Sequence, residues 1–197
     1  MTKLNLIALG KFHYFDIAKL LSKNGMLEKY YTNDILYFSK NNKIKKEIKL
    51  DLIFFFISIF SKLTGVKFEK YLHQNFPFNF KNENKILYSA SLSLFKLINK
   101  KNFDKIIIDH GSPNLEYDKK INLKEFKLFK KNINNFNKYL TNNWVINQEN
   151  YEFSNSNIIF VPSKFSKKTF FYKQFYKNIF INNIVTNLSF KKKPKEY

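Results

Sequence analysis

Short apolar runs alternate with amphipathic stretches in the first part of the chain. Residues 4–9 form an apolar run closed by Gly10, and the apolar residues of 13–24 fall mostly on one helical face. Gly25 then stands where many helices end, and residues 27–32 form a second apolar run. The pattern predicts a strand, a glycine turn, a helix and a strand, which is the βαβ unit of parallel sheets.

The same alternation continues to the end of the chain. Further strands are predicted at residues 85–88, 105–108, 157–161 and 178–181. Further helices are predicted at residues 50–62, 66–75, 91–100 (capped by Ser91), 114–131, 139–153 and 164–172. Residues 33–49 are polar and lysine-rich, which predicts a loop. The expected fold is α/β: a single Rossmann-like domain over residues 1–189, with a mostly parallel sheet flanked by helices.

Composition limits the chemistry that this domain can perform. Of its 197 residues 44% are hydrophobic, which is enough for a core, and it has no cysteine, so neither disulfides nor thiolate chemistry are expected. The formal net charge of +20 suggests a polyanionic partner. All 35 basic residues are lysines, however, spread along a chain rich in Asn, Ile and Phe. Lysine lacks the two-pronged donor geometry of arginine, so nucleic acid is the less favoured partner.

The hydrophobic runs are too short for membrane insertion. The longest, residues 50–63, is interrupted by Asp51, Ser58, Ser61 and Lys62, whereas a spanning helix needs about 20 mostly apolar residues. The first apolar run is likewise shorter than the core of a signal peptide. These patterns predict a cytoplasmic protein.

The first candidate site follows the first predicted strand. Gly10 allows a sharp turn and a close backbone approach to a ligand, with Lys11, Phe12 and His13 beside it. The alternative is an ordinary turn between strand and helix, with Phe12 packed into the core. The dinucleotide-binding pattern of three spaced glycines is absent.

The second candidate site follows the predicted strand at residues 105–108. Asp109, His110, Gly111 and Ser112 combine a carboxylate, an imidazole and a flexible turn at the end of an apolar strand, where ligands of parallel sheets bind. In the alternative interpretation Asp109 caps the next helix and a backbone carbonyl satisfies His110. The position at a strand end favours function.

The third candidate pair is Glu149 and Ser163. Glu149 lies on the helix before the predicted strand at residues 157–161, and Ser163 comes just after that strand. The favoured alternatives are a solvated helix charge and a helix cap, respectively. His13, His73 and His110 lack the spacing of metal ligands, so no metal site is expected.

In this order, the segments resemble the N-terminal domain of family 4 retaining glycosyltransferases, which have the GT-B fold of two Rossmann-like domains facing a cleft. The resemblance rests on residues 8–13 with their helix, residues 110–112, residues 147–149, and above all the stretch VPSKFSKKTF at residues 161–170. It covers most of the chain.

The resemblance implies roles for these residues. Gly10, with Lys11, Phe12 and His13, would approach the donor diphosphate and the acceptor. His110 would contact the transferred sugar or acceptor as a catalytic residue, with Asp109 as its catalytic neighbour. Gly111, Ser112, Glu149 and Ser163 would contribute to substrate binding. Neither a cofactor nor a metal is implied, because the nucleotide sugar is itself a substrate.

The resemblance also has three departures. The glycine loop has one glycine where many members have two, and His110 stands where many carry arginine. The family's paired glutamates and nucleotide-sugar pocket belong to a second domain, which is expected to be missing or separate, and residues 190–197 resemble the start of the linker to it.

The expected function is therefore the acceptor-side half of a transferase for surface polysaccharide or glycolipid synthesis. Its acceptor would be a glycan or a lipid-linked sugar, at the inner face of the membrane, and the half is expected to be inactive alone. The alternative is a nonenzymatic module that binds nucleic acid or an anionic membrane through its lysines and through exposed aromatic residues such as Phe12, Tyr14, Tyr151 and Phe153.

Overall fold

The described part of the chain forms one seven-stranded parallel sheet with helices. The computed structural model describes residues 2–8, 13–32, 47–49, 63, 86–92, 103–129, 141–170 and 173–182. The strands are β1 (Leu4–Ala8), β2 (Leu27–Thr32), β3 (Glu47–Lys49), β4 (Ile86–Ala90), β5 (Lys105–Asp109), β6 (Ile158–Val161) and β7 (Ile179–Ile181). The described helices are α1 (His13–Lys23), α2 (Leu115–Phe129), α3 (Asn143–Asn155), α4 (Lys164–Lys168) and a 3-10 helix at Tyr176–Asn178.

The strand order follows the Rossmann-like pattern. In space the strands run β3-β2-β1-β4-β5-β6-β7, and each pairing is parallel. The chain therefore builds outward from β1 in one direction and then, from β4 onward, in the other. Such a reversal leaves a crevice at the carboxyl ends of the strands. The prediction of a single Rossmann-like α/β domain with a mostly parallel sheet is confirmed.

The opening βαβ unit forms for the reasons that its pattern indicates. In α1, Tyr14, Phe15 and Ala18 are buried, which places one helical face against β1 and β2. Gly25 then adopts φ 69°, a left-handed conformation that carries little penalty without a Cβ atom. The helix ends there, and β2 begins at Leu27 beside Leu4 of β1.

Alternating side chains of the strands form two cores, one on each face of the sheet. Leu6 and Ala8 of β1 pack with α1, whereas Ile7 between them faces the other side. That second core contains Ile108 of β5 and Phe153 of α3. Two consecutive residues at the end of a strand therefore lie on opposite faces of the sheet and contact different cores.

Three predicted elements differ from the structure in part. The loop predicted at residues 33–49 ends in β3, which pairs with β2 at the edge of the sheet. The helix predicted at residues 164–172 ends at Lys168 and continues as a turn. The helix predicted at residues 91–100 does not begin at Ser91, because Ser91 and Leu92 lie in a turn after β4. Residues 93–100 lie outside the described residues, and so do the helices predicted at 50–62 and 66–75 and the segment 190–197.

Candidate functional site at the carboxyl edge of the sheet

The carboxyl ends of β4, β5 and β6 lie side by side. Their pairing extends beyond the strands, because the Ser91 N–H donates to the Asp109 carbonyl at 2.9 Å and the His110 N–H donates to the Phe160 carbonyl at 2.8 Å. The loop after β5 is thus fixed on both sides. The predicted pair Asp109 and His110 stands at this edge.

Asp109 faces the α1 side of the sheet. Its Oδ2 accepts a hydrogen bond from the Tyr88 hydroxyl at 3.0 Å, and the Tyr14 hydroxyl lies 3.5 Å from its main-chain carbonyl. Burial, together with the nearby Asp109, raises the pKa of both tyrosines, so both remain hydrogen donors. Asp109 does not cap the following helix, because Asn114 Oδ1 accepts from the Tyr117 N–H at 3.3 Å. That alternative interpretation was wrong.

His110 faces the other side, and its ring is 1% exposed. Nε2 lies 3.1 Å from the Pro113 carbonyl and 3.3 Å from the Ser112 hydroxyl, and Nδ1 lies 2.9 Å from the Ser91 hydroxyl. Since a carbonyl can only accept, Nε2 carries the hydrogen, and in the neutral ring Nδ1 accepts from Ser91. A backbone carbonyl does satisfy His110, as one interpretation predicted. Contact of His110 with a sugar stays a prediction.

Aromatic rings enclose this imidazole. The Phe153 and Phe170 rings meet it edge to face, with centroids 5.0 Å and 5.6 Å away. Such contacts hold a ring in one orientation. His110 therefore links the turn after β4, the loop after β5 and the core beneath α3.

Glu149 is fully buried, at 0% exposure. Its Oε2 accepts from the Asn114 amide at 2.9 Å and from the Leu115 N–H at 3.1 Å, while Oε1 lies 3.5 Å from His110 Nε2. Burial raises the pKa of Glu149 to about 8; the Leu115 hydrogen bond opposes this rise and repulsion from Glu152 adds to it. The interpretation as a solvated charge was wrong, because this residue faces the interior.

The sequence pattern did not predict several members of the polar network around His110 and Glu149. Glu152 is fully buried and accepts from the Leu92 N–H at 2.7 Å. Thr169 Oγ1 accepts from the Asn114 N–H at 2.9 Å. One signal for the burial of Glu149 was present in the sequence. Ile146 and Phe153 stand three residues before and four residues after Glu149, which puts Glu149 on the apolar face of α3.

Ser163 plays a local role. Its hydroxyl accepts from the Ser166 N–H at 3.0 Å and so caps α4. The interpretation of Ser163 as a helix cap is confirmed. A part in substrate binding stays a prediction for this residue.

Gly111 and Ser112 are the exposed members of the loop after β5. A Cβ atom added to Gly111 would meet nothing within 4 Å, so open space lies beside this residue. The Ser112 hydroxyl faces His110 Nε2. A ligand at the carboxyl edge would reach these two residues, whereas the side chains that hold them are buried.

The first predicted site is only partly visible. Gly10, Lys11 and Phe12 lie outside the described residues. His13 begins α1, which follows β1 and therefore starts at the same edge of the sheet as the His110 loop. The edge thus brings His13, Asp109, His110, Gly111 and Ser112 to one side of the molecule.

Neither a metal-binding group nor a membrane-spanning helix is found among the described residues. They contain no group of three or more His, Cys, Asp or Glu side chains that could hold a metal ion. They also contain no helix with the length and apolar character needed to cross a membrane.

The described residues form a Rossmann-like α/β domain. At the carboxyl edge of its sheet, a buried polar network lies behind the exposed loop that follows β5. No protein-family model matches the sequence, and no characterised protein is significantly similar to it.

Proposed function

We propose that the chain is the acceptor-side, Rossmann-like half of a retaining glycosyltransferase of GT-B architecture. One observation carries the proposal: the Gly111–Ser112 turn is exposed at the carboxyl edge of the sheet and is held from behind by the buried His110 and Glu149. A rigid turn with an open approach suits a hydroxyl-rich ligand, because the main-chain groups of Gly111 and Ser112 and the Ser112 hydroxyl are held in fixed positions.

In this proposal each candidate residue has a distinct place. Gly111 and Ser112 would contact the acceptor, and Gly10 with its neighbours would approach the donor diphosphate and the acceptor. His110 and Asp109 would stand directly behind the contact surface. A second Rossmann-like domain would supply the nucleotide sugar, because this reaction orients two substrates and one wall of a cleft orients only one.

An acceptor on a lipid carrier would bring the domain to the inner face of a membrane. Phe165 is 57% exposed, and its ring meets that of Tyr117 edge to face at 6.2 Å. Lys164 and Lys168 are exposed on the same short helix. Aromatic and cationic side chains together favour an anionic lipid surface, which supports a polysaccharide or glycolipid acceptor.

The proposal is tested by comparing octyl glycoside binding in two variants, Gly111→Ala and the control Ser154→Ala. Gly111→Ala has room for its methyl group and no left-handed backbone to strain, so the fold should persist. The methyl group would occupy the ligand's approach, and we expect binding of the octyl glycosides of glucose, galactose or N-acetylglucosamine to weaken about tenfold, a loss of roughly 1.4 kcal/mol. Titration calorimetry at physiological salt measures the change.

Ser154→Ala is the matched control. Ser154 lies at the end of α3 that leads into the start of β6, at the opposite edge of the sheet. Its binding should equal that of the unmodified protein. Equal loss in both variants, or no glycoside binding at all, would contradict the proposal, and saturable oligonucleotide binding at physiological salt would favour a nucleic-acid module instead.

A further inference from the structure

Helix α3 carries two fully buried carboxyl groups three residues apart. Glu149 and Glu152 are both 0% exposed, and residues with this spacing lie on one face of a helix. Burying a carboxyl group is unfavourable unless hydrogen bonds compensate. Both of these groups are used to hold main chain that belongs to other parts of the fold.

The two carboxyl groups hold two different loops. Glu149 Oε2 accepts from the Leu115 N–H, at the end of the loop that follows β5. Glu152 Oε2 accepts from the Leu92 N–H, in the turn that follows β4. Since β4 and β5 are neighbours in the sheet, these loops lie side by side at the carboxyl edge.

The turn after β4 needs this support. Leu92 has φ 61°, in the left-handed region that disfavours residues with a Cβ atom, and it is the one non-glycine residue with positive φ in the part of the chain described. The Glu152 carboxyl group binds the N–H of that residue. The hydrogen bond stabilises a backbone conformation that the sequence by itself disfavours.

The two loops are also tied to each other. The Ser91 hydroxyl, next to Leu92, contacts His110 Nδ1, while His110 Nε2 contacts the Pro113 carbonyl within the loop after β5. The Asn114 side chain joins the same loop to Glu149 Oε2. These contacts join the two loops through His110, whereas Glu149 and Glu152 each anchor only one of them.

We propose that Glu149 and Glu152 are positioning residues that clamp the Ser91–Leu92 turn and the Gly111–Leu115 loop, so that Gly111 and Ser112 meet their ligand in one fixed arrangement. The ligand's identity as an acceptor sugar rests on the proposed function. The clamp itself does not, because it can be measured in the protein without ligand.

Amide hydrogen exchange of paired variants tests the clamp. Glu149→Ala should speed exchange at Leu115 about tenfold and leave Leu92 nearly unchanged, because the hydrogen bond from the Leu115 N–H to the Glu149 carboxyl group is lost. Glu152→Ala should speed exchange at Leu92 and leave exchange at Leu115 nearly unchanged. Glu149→Gln keeps an oxygen acceptor and should restore slow exchange, and Glu125→Gln, on an exposed position of α2, is the matched control.

A spectroscopic signature separates positioning from general destabilisation. The Leu115 amide proton shift of the unmodified protein should change with pH around the pKa of Glu149, about 8, and should be flat in Glu149→Gln. This measurement needs no alanine variant, so it decides the matter even where those fail to fold. An unchanging Leu115 shift, or equal acceleration of both loops in both variants, would overturn the clamp. Intact clamping without glycoside binding would overturn the proposed function alone.

Discussion

At the level of single residues, Glu149 shows how burial changes the chemistry of a side chain. A carboxyl group usually loses its proton near pH 4.5, but burial raises the pKa of Glu149 to about 8. At neutral pH this group is therefore mostly protonated. Its Oε2 still accepts two hydrogen bonds, because a neutral carboxyl group keeps a carbonyl oxygen.

The raised pKa predicts that the fold loses stability as pH rises. Between about pH 4.5 and 8 the folded chain keeps a proton that the unfolded chain has released, so the free energy of unfolding falls by up to about 1.4 kcal/mol per pH unit from this group. Glu149→Gln has no such proton, and its slope in this window should be flatter. Urea unfolding at pH 5, 6, 7 and 8 measures the slopes.

Glu125→Gln is the control for that series, because Glu125 is exposed on α2. Its slope should match the slope of the unmodified protein. Parallel curves for all three proteins would show that Glu149 titrates in the folded state as it does in the unfolded chain, against the burial found here.

At the level of helices and strands, the sequence pattern predicts much of the fold. The apolar runs and Gly25 correctly place β1, α1 and β2, because these segments follow simple periodicities and end at a residue suited to a left-handed turn. Strand β3 was missed because three residues at a sheet edge need no apolar face, so a lysine-rich run can form them.

The candidate site was predictable in place but not in detail. A polar group after an apolar strand predicts the carboxyl edge, and His110 and Asp109 lie there. The alternation of side chains along a strand puts them on opposite faces, but the sequence does not reveal which groups each of them meets there. Nor does it predict that Glu152 meets the Leu92 N–H, a contact between segments 60 residues apart.

The cap of α4 gives a prediction for a single element. Ser163→Ala removes the acceptor of the Ser166 N–H and should lower the free energy of unfolding by about 1 kcal/mol. Ser163→Asp restores an acceptor and should recover most of that loss. Urea unfolding at pH 7 compares the variants, and an unchanged midpoint in Ser163→Ala would contradict the cap assignment.

For the whole molecule, we expect folding and catalysis to be separable. The described strands form one sheet with a core on each face, so the domain contains the packing that it needs to fold. The proposed reaction needs a second wall for the nucleotide sugar. The chain should therefore bind an acceptor sugar weakly and neither bind a nucleotide sugar tightly nor transfer its sugar.

The most direct test is a pair of NMR titrations of one isotope-labelled sample of residues 1–197. We expect an octyl glycoside to shift the Gly111 and Ser112 amide signals in a saturable way, and we expect no tight binding of uridine, guanosine or adenosine diphosphate sugars. Glycoside shifts confined to another part of the sheet, tight binding of a nucleotide sugar, or robust sugar transfer by this chain alone would contradict these expectations.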